Sequence, residues 1–554
     1  MSLSDNYYSP AECQYSEAEW SNSVANFNHF ERFAEAIQVG SRAIQRFPNS
    51  FTIHFNTANA ARKLGKSSFA RLLYKRSIYL MPSDPMAWNN LGLTLLGDGD
   101  LNSAKEAFKK SIDLSHAEKI QPLVNFAMVC RQLGELSEAL EATNKAIAID
   151  GGSMEAYANR SAIYHEMNFL APALSDIERA IQLKPNQPSL YYNAGNIHVS
   201  SRDWGAAITS FDRSLSINSG LTDAKLNRSI CILMQKQWEK GFQSYESRWN
   251  LFGKSSPFES QKSLDQARER ILSSTKLELY AEQGLGDSIQ FARYLSLLNR
   301  SVTTIRLHVQ KSLIQLFQDN LIADDVIQVT GASHLKYPDF QFEHYKFPLI
   351  SLPLLLQVYP DSKLFPVDPY LKSNDSDIKQ WSRRLADANR DSDRLRVGIC
   401  WAGNPKQGTD KKRSLSLGKV ARLFSVPCRW INLKVDLSEE SRLRLQNHCV
   451  EDYSSYVEDM KDTAALVANL DLVISTCTSV AHLSGALGIP TWILLAYSPD
   501  WRWGDNGESS IWYPSARLFR QTIPGDWDGL LDNVDQALMD EIDSFRSKRR
   551  RIMR

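Results

Sequence analysis

Two kinds of hydrophobic pattern divide this chain. Through the first 250 residues small side chains return on a near-constant beat: Ala36, Ala70, Ala104, Ala139, Ala173, Ala207 and Gly241, 34 residues apart except for one step of 35. Seven residues after each stand Ala43, Ser77, Ser111, Ala146, Ala180, Ser214 and Arg248, with Phe108, Phe211 and Tyr245 on the same beat and Pro48, Pro82 and Pro185 closing repeats. A repeat of this length predicts a pair of helices. Small residues let the two approach closely, and stacked pairs bury a core that no single pair could. From Lys276 short apolar runs alternate with helical stretches, which predicts parallel strands joined by right-handed crossovers. The strands fall at 277–281, 305–309, 396–401, 430–433, 472–475, 491–495 and 517–519, with helices at 288–298, 311–320, 480–487 and 526–545. Between Asp471 and Asp500 lie 28 residues without one charged side chain. Length alone suggests a membrane span. The internal order argues otherwise: an apolar run to Ile474, small polar residues to Ser479, a short helix stopped at Gly488, and a second apolar run from Thr491 to Leu495. That is strand, loop, helix, strand, in a parallel sheet covered on both faces.

The third repeat carries Trp88, Leu91, Gly92 and Leu95 on its earlier helix, and so resembles the tetratricopeptide repeat. Seven such units are expected over residues 15–250. The seventh departs from the rest, with Trp238, Tyr245 and Trp249 where smaller residues are expected. A terminal repeat must cover the end of the stack, so these aromatics predict a capping or docking surface. Polar residues 251–275 read as a linker.

One repeat position is polar in all seven units: Asn22, Asn56, Asn90, Asn125, Asn159, Asn193 and Asn227, two residues after the Trp88 equivalent. An amide offers two donors and an acceptor, which pairs with a peptide unit whatever its side chain. The array resembles that of nucleocytoplasmic O-GlcNAc transferase, in which an asparagine ladder grips acceptor proteins. The resemblance implies that Asn56 to Asn227 bind a polypeptide acceptor through its backbone. The alternative is that these amides tie helix to helix.

In the second half, GLGDSIQFARYL (284–295) resembles the first-lobe loop of the lipopolysaccharide heptosyltransferases, family 9 of the glycosyltransferases. WAGNPKQGTDKKRSLSL (401–417) and TSVAHLSGALGIPTWILL (478–495) resemble their second-lobe motifs. Bacterial proteins that join tetratricopeptide repeats to such a domain, some acting on flagellin, are similar in architecture. The resemblance implies an α-solenoid followed by an α/β domain of GT-B type, with two Rossmann-like lobes: 276–372 on the acceptor side and 395–525 on the nucleotide-sugar side. A closing helix (526–545) and a solvated basic tail (546–554) complete the chain.

The same resemblance gives roles. Asp287 takes the place of the catalytic base, because attack on an anomeric carbon needs a carboxylate to accept the hydroxyl proton. Its alternative role is to cap the helix that follows. Gly284 and Gly286 would allow a tight turn close to ligand. Arg413, Asn404, Thr478, Ser479 and His482 would bind the donor, with Trp401 at the same sheet edge. A helix start favours a diphosphate, whose charge must be neutralised as it leaves. Asp500 to Trp503 either line the cleft or fix a loop by packing. The related pattern carries Asp where this chain has Cys477, which bears on donor choice and on turnover. A thiol nucleophile there has no base placed beside it.

Composition narrows the classes. A net charge of +1 with 23% charged residues gives no electrostatic footprint for nucleic acid. Seven cysteines without a C-x-x-C pair suit a reducing cytoplasm rather than a disulfide framework or a zinc site. No segment reads as a membrane span or signal peptide, and no metal motif stands near the site. The expected activity is transfer of a sugar from a nucleotide-activated donor, the co-substrate, to side-chain hydroxyls of a polypeptide, with no cofactor and no metal. The alternatives are a non-catalytic repeat adaptor with a decayed transferase domain, or a transferase acting on a saccharide or lipid.

Overall fold

The computed structural model describes residues 15–115, 119–252, 258, 260–298, 303–328, 346–386, 394–403 and 413–552. Helices run in seven consecutive pairs, from Glu17–His29 with Phe33–Arg46 to Thr222–Met234 with Trp238–Tyr245. The periodic positions explain the pairing. Ala36, Ala70, Ala104, Ala139, Ala173 and Ala207 are fully buried, as are Ala43, Ser77, Ser111, Ala146, Ala180 and Ser214. The chain divides into two compact units after Ile197, inside the first helix of the sixth pair, Pro188–Ser200; the second helix of that pair and the whole seventh pair group with the α/β region.

Within the first unit, each asparagine stands sixth in the earlier helix of its pair. Asn56 Nδ2 donates to Ser21 Oγ at 3.5 Å, Asn90 Nδ2 to Asn59 Oδ1 at 2.9 Å, Asn125 Nδ2 to Asn89 Oδ1 at 2.9 Å, and Asn159 Nδ2 to the Val124 carbonyl at 3.3 Å. Every partner belongs to the earlier helix of the preceding pair. Asn90 and Asn125 are buried, at 8% and 4% exposure, and their carbonyls accept from Asn89 and Gln121. These four amides stitch neighbouring repeats, the alternative role; Asn90 and Asn125 are buried in doing so, while Asn56 and Asn159 stay half-buried. Asn22 is exposed, while Asn193 and Asn227 are half-buried. Replacing Asn90, Asn125 and Asn159 with Ala is expected to remove roughly 2–4 kcal/mol from the array, at about 1 kcal/mol per bond. Melting of the triple variant should fall, while any polypeptide affinity per folded molecule stays near wild type.

The second unit contains two all-parallel sheets. In the first, strands β1 (Lys276–Tyr280), β2 (Thr304–Val309), β3 (Asp325–Gln328) and β4 (Lys346–Pro348) lie in the order β3-β2-β1-β4. The second comprises β5 (Arg396–Cys400), β6 (Arg429–Asn432), β7 (Glu451–Asp452), β8 (Leu472–Thr476), β9 (Thr491–Leu495) and β10 (Ala516–Arg520). Its order is β10-β9-β8-β5-β6-β7. The uncharged stretch forms β8, a helix Ser479–Ala486 and β9, with all five residues of each strand buried. Successive residues of β8 feed opposite cores: Leu472 and Ile474 join Val397, Ile399 and Trp492, while Val473 joins Ile431 and Leu433. Gly488 ends the helix at φ +74°, where a side chain would be strained. Among the described helices, none is long and apolar enough to cross a membrane.

Two boundary expectations need correction. The expected linker contains a helix, Gln261–Ser273, that buries Leu264, Ala267 and Ile271 along one stripe and starts from a Ser260–Ser263 capping box. Its polar composition concealed that stripe. The closing helix runs from Trp527 to Ile552, through most of the expected tail.

Candidate functional site

Both sheets present a loop and a helix start at the carboxyl edge of a central strand. After β1 the chain passes through Gly284 into the helix Leu285–Ala292. After β8 it passes through Thr478 into Ser479–Ala486. In the second sheet this edge lies at a topological switch point. The chain runs from β5 outward to β7, then returns to place β8 on the other side of β5. Thr478 Oγ1 reaches Cys400 Sγ, at the end of β5, at 3.7 Å, and pairs with Ser475 Oγ at 2.8 Å. Its hydroxyl therefore faces the protein and makes no cap bond to the helix. Ser479, the next residue, and Arg413 are half-buried, and the charge of Arg413 acts on both Cys477 and His482. Asn404, Lys406, Lys411 and Lys412 lie outside the described residues.

The helices Leu285–Ala292 and Ser479–Ala486 pack directly on each other. A Cβ on Gly286 would stand 2.7 Å from His482 Cδ2, so this glycine makes room for a side chain of the other helix. Gly284 has φ −70° and ψ 169°, an extended conformation open to any residue. The tight ligand-facing turn expected of the two glycines is absent, because their backbone is extended and helical.

His482 also departs from expectation. It is 5% exposed, stacks on Trp503 with centroids 5.1 Å apart, and shares a 3.0 Å hydrogen bond with Tyr513 OH through Nδ1. Burial pushes its pKa down to about 3, and Arg502 adds to the shift. It stays neutral at physiological pH and offers a diphosphate no charge. A folded pKa below the unfolded value means that acid favours the unfolded chain. Stability present above about pH 6.5 is then lost toward pH 3, at about 1.4 kcal/mol per pH unit. His482→Gln is expected to flatten the fall of melting temperature between about pH 6 and pH 4, relative to wild type.

Asp287 performs the cap: Oδ2 accepts the Gly284 N–H at 3.0 Å. Its other oxygen is bound by Arg502, which also holds both oxygens of Asp500 at 2.9 and 3.1 Å and Gln290 Oε1 at 2.8 Å. Asp500 keeps more than a third of its side chain exposed; partial desolvation opposes its ionisation, and the adjacent Arg502 outweighs this and holds its carboxyl below the usual range. Burial pushes the Cys477 thiol up, and its sulfur accepts the Trp503 indole N–H at 3.0 Å, which suits a packed thiol and no nucleophile. Trp401 directly follows β5 at its carboxyl edge, but its side chain is 4% exposed and packs into the core. Sequence reasoning named the Asp500–Trp503 segment but missed that Arg502 reaches Asp287. The signal available was an arginine between two tryptophans, which is the setting of a buried cation.

Residues 87–116 match the tetratricopeptide repeat family. Over most of its length the chain is similar to protein FlbA of Caulobacter vibrioides, at 22% identity over 555 aligned positions, covering 94% of this chain and 91% of the relative. Among solved structures, YrrB, a TPR protein with an unusual peptide-binding site, aligns at 19% identity and a TM-score of 0.29, over 33% of this chain and 95% of its own. The Cut9–Hcn1 hetero-tetramer of the APC/C aligns at 15% identity and a TM-score of 0.38, over 45% of this chain and 48% of that chain. Residues 87–116 are thus a tetratricopeptide repeat, and helix pairs within one residue of its helix lengths flank it on both sides.

Proposed function

We propose that this protein is a glycosyltransferase that moves a sugar from a nucleotide-activated donor to a side-chain hydroxyl of a polypeptide recruited by its repeats. The strand order of the second sheet carries this reading. Open α/β sheets of this order take their ligand outside the carboxyl ends of the strands at the switch point. The loops at that point hold Thr478, Ser479 and Arg413. Because Thr478 makes no side-chain cap, the helix start favours an anion such as a diphosphate, and Arg413 adds positive charge for its departure. Asp287, at the corresponding edge of the first sheet, is the carboxylate that would take the acceptor proton. Two parallel sheets with such edges suit the GT-B arrangement. Stacked helix pairs provide the extended surface on which a polypeptide would lie.

A second reading, a non-catalytic adaptor, is favoured by one observation: both Asp287 oxygens are already engaged, by Gly284 and Arg502. Co-expression with candidate acceptors separates the two. A sugar-sized increment in acceptor intact mass that requires this protein supports the transferase. No increment on any acceptor, with no turnover of any nucleotide sugar, supports the adaptor.

A further inference from the structure

We propose that Arg502 is the positioning residue of Asp287, and that the sixth and seventh repeats hold it in place. The proposal rests on the reading of Asp287 as the carboxylate of the site. Arg502 is 7% exposed, and its donors are divided among three side chains: Nε to Gln290, Nη1 to Asp500 and Nη2 to Asp287. Only a planar fork with fixed donor directions serves three acceptors at once; the ammonium of lysine is a point charge on a flexible stem. The guanidinium lies over the Trp501 ring, 4.5 Å from its centroid.

Trp501 is in turn fixed by the seventh repeat, with Trp238, Phe242 and Tyr245 at centroid distances of 6.4, 5.7 and 6.2 Å. The sixth repeat holds both ends of the same loop. Ser498 Oγ donates to the Val199 carbonyl at 3.0 Å, and Arg202 stands 5.1 Å from the centroid of Tyr497. Beyond Arg502, Arg202 donates to the Asp505 carbonyl, and Trp204 Nε1 donates to Asp505 Oδ2 at 3.1 Å. The loop from Tyr497 to Asp505 is therefore fastened to repeats at both ends and the middle, and it delivers one guanidinium to the Asp287 helix. With Arg502 on one oxygen and the Gly284 N–H on the other, the carboxylate is held in a single orientation. A proton acceptor must keep such an orientation to meet a substrate hydroxyl. The repeats would thus set the site as well as recruit the acceptor.

The test uses the full chain, as wild type, as Arg502→Lys, and as a double variant carrying Arg202→Gln and Trp204→Phe. Hydrogen exchange is the first readout. Arg502→Lys is expected to speed exchange over residues 284–288 about tenfold and to leave the rest of the first sheet unchanged. The double variant should loosen residues 497–505 and, through them, residues 284–288. The second readout is transfer, expected to fall about a hundredfold in kcat for Arg502→Lys, with nucleoside diphosphate affinity unchanged. Unaltered exchange at 284–288 in Arg502→Lys would overturn the proposal, as would a double variant whose effect stops at 497–505. If wild type transfers no sugar, the transferase reading falls, and the exchange data still decide the role of Arg502.

Discussion

Arg248→Met is expected to cost the unit from His198 onward about 3–5 kcal/mol, the scale for removing one partner of a buried ion pair. Six repeats carry Ala or Ser at this position and the seventh carries Arg. The guanidinium, 1% exposed, donates to Glu246 Oε1 at 2.5 Å, to Glu282 Oε1 at 2.6 Å and to Ser351 Oγ at 2.8 Å. Glu282 follows β1, so the pair joins the last repeat to the first sheet. Every carboxylate oxygen has a donor: Trp249 Nε1 serves Glu246 Oε2 at 3.1 Å and the Ile350 N–H serves Glu282 Oε2 at 3.1 Å. Burial pushes the Glu282 carboxyl up even with Arg248 beside it. Without that cation, two carboxylates remain in one dry site, and one must take a proton or the repeat must part from the sheet. Scanning calorimetry should show the transition of this unit lowered by roughly 5–10 °C. Adding Glu246→Gln and Glu282→Gln to Arg248→Met should recover part of the loss, since amides carry no buried charge. A single variant as stable as wild type would mean that the cluster contributes nothing to the join.

The second large effect concerns chemistry. Asp287→Asn should keep the helix start, because Asn accepts a backbone N–H about as well as Asp. It removes the negative charge that faces Arg502 and the only basic function the side chain has. Transfer is expected to fall by roughly a hundredfold or more, the scale of a lost general base, with melting temperature and nucleotide affinity close to wild type. Wild-type transfer by this variant would reduce Asp287 to a cap.

These expectations draw on different levels of legibility. The repeats were readable because one packing solution recurs with fixed spacing, and a small residue is needed wherever two helices cross. The central strands were readable for a related reason: β5, β8 and β9 are buried on both faces, so beyond Arg396 at the start of β5 they carry only apolar or small polar residues. The short edge strands β3, β4 and β7 passed unseen, since Lys346–Pro348 and Glu451–Asp452 carry too few residues for a period to show. Residue types at the carboxyl edges were legible, but their partners were not. His482 and Gly286 meet only because two helices, nearly 200 positions apart in the chain, pack together. The Asp287–Arg502 pair spans 215 positions, and no local pattern encodes such a pairing. The asparagine row was visible, yet its direction was not: an amide can bind a guest or the neighbouring repeat, and the buried Asn90 and Asn125 bind the neighbour.

The central claim is that the β5–β8 edge holds a nucleoside diphosphate. Calorimetric titration of the full chain with uridine, guanosine, adenosine and cytidine diphosphates tests it most directly. The account predicts that one of them binds at a single site with a Kd below about 1 mM, within the usual range for enzyme substrates. Arg413→Ala should weaken that binding about tenfold, the loss of one charge-assisted contact. The absence of binding by all four at millimolar concentration would contradict the account.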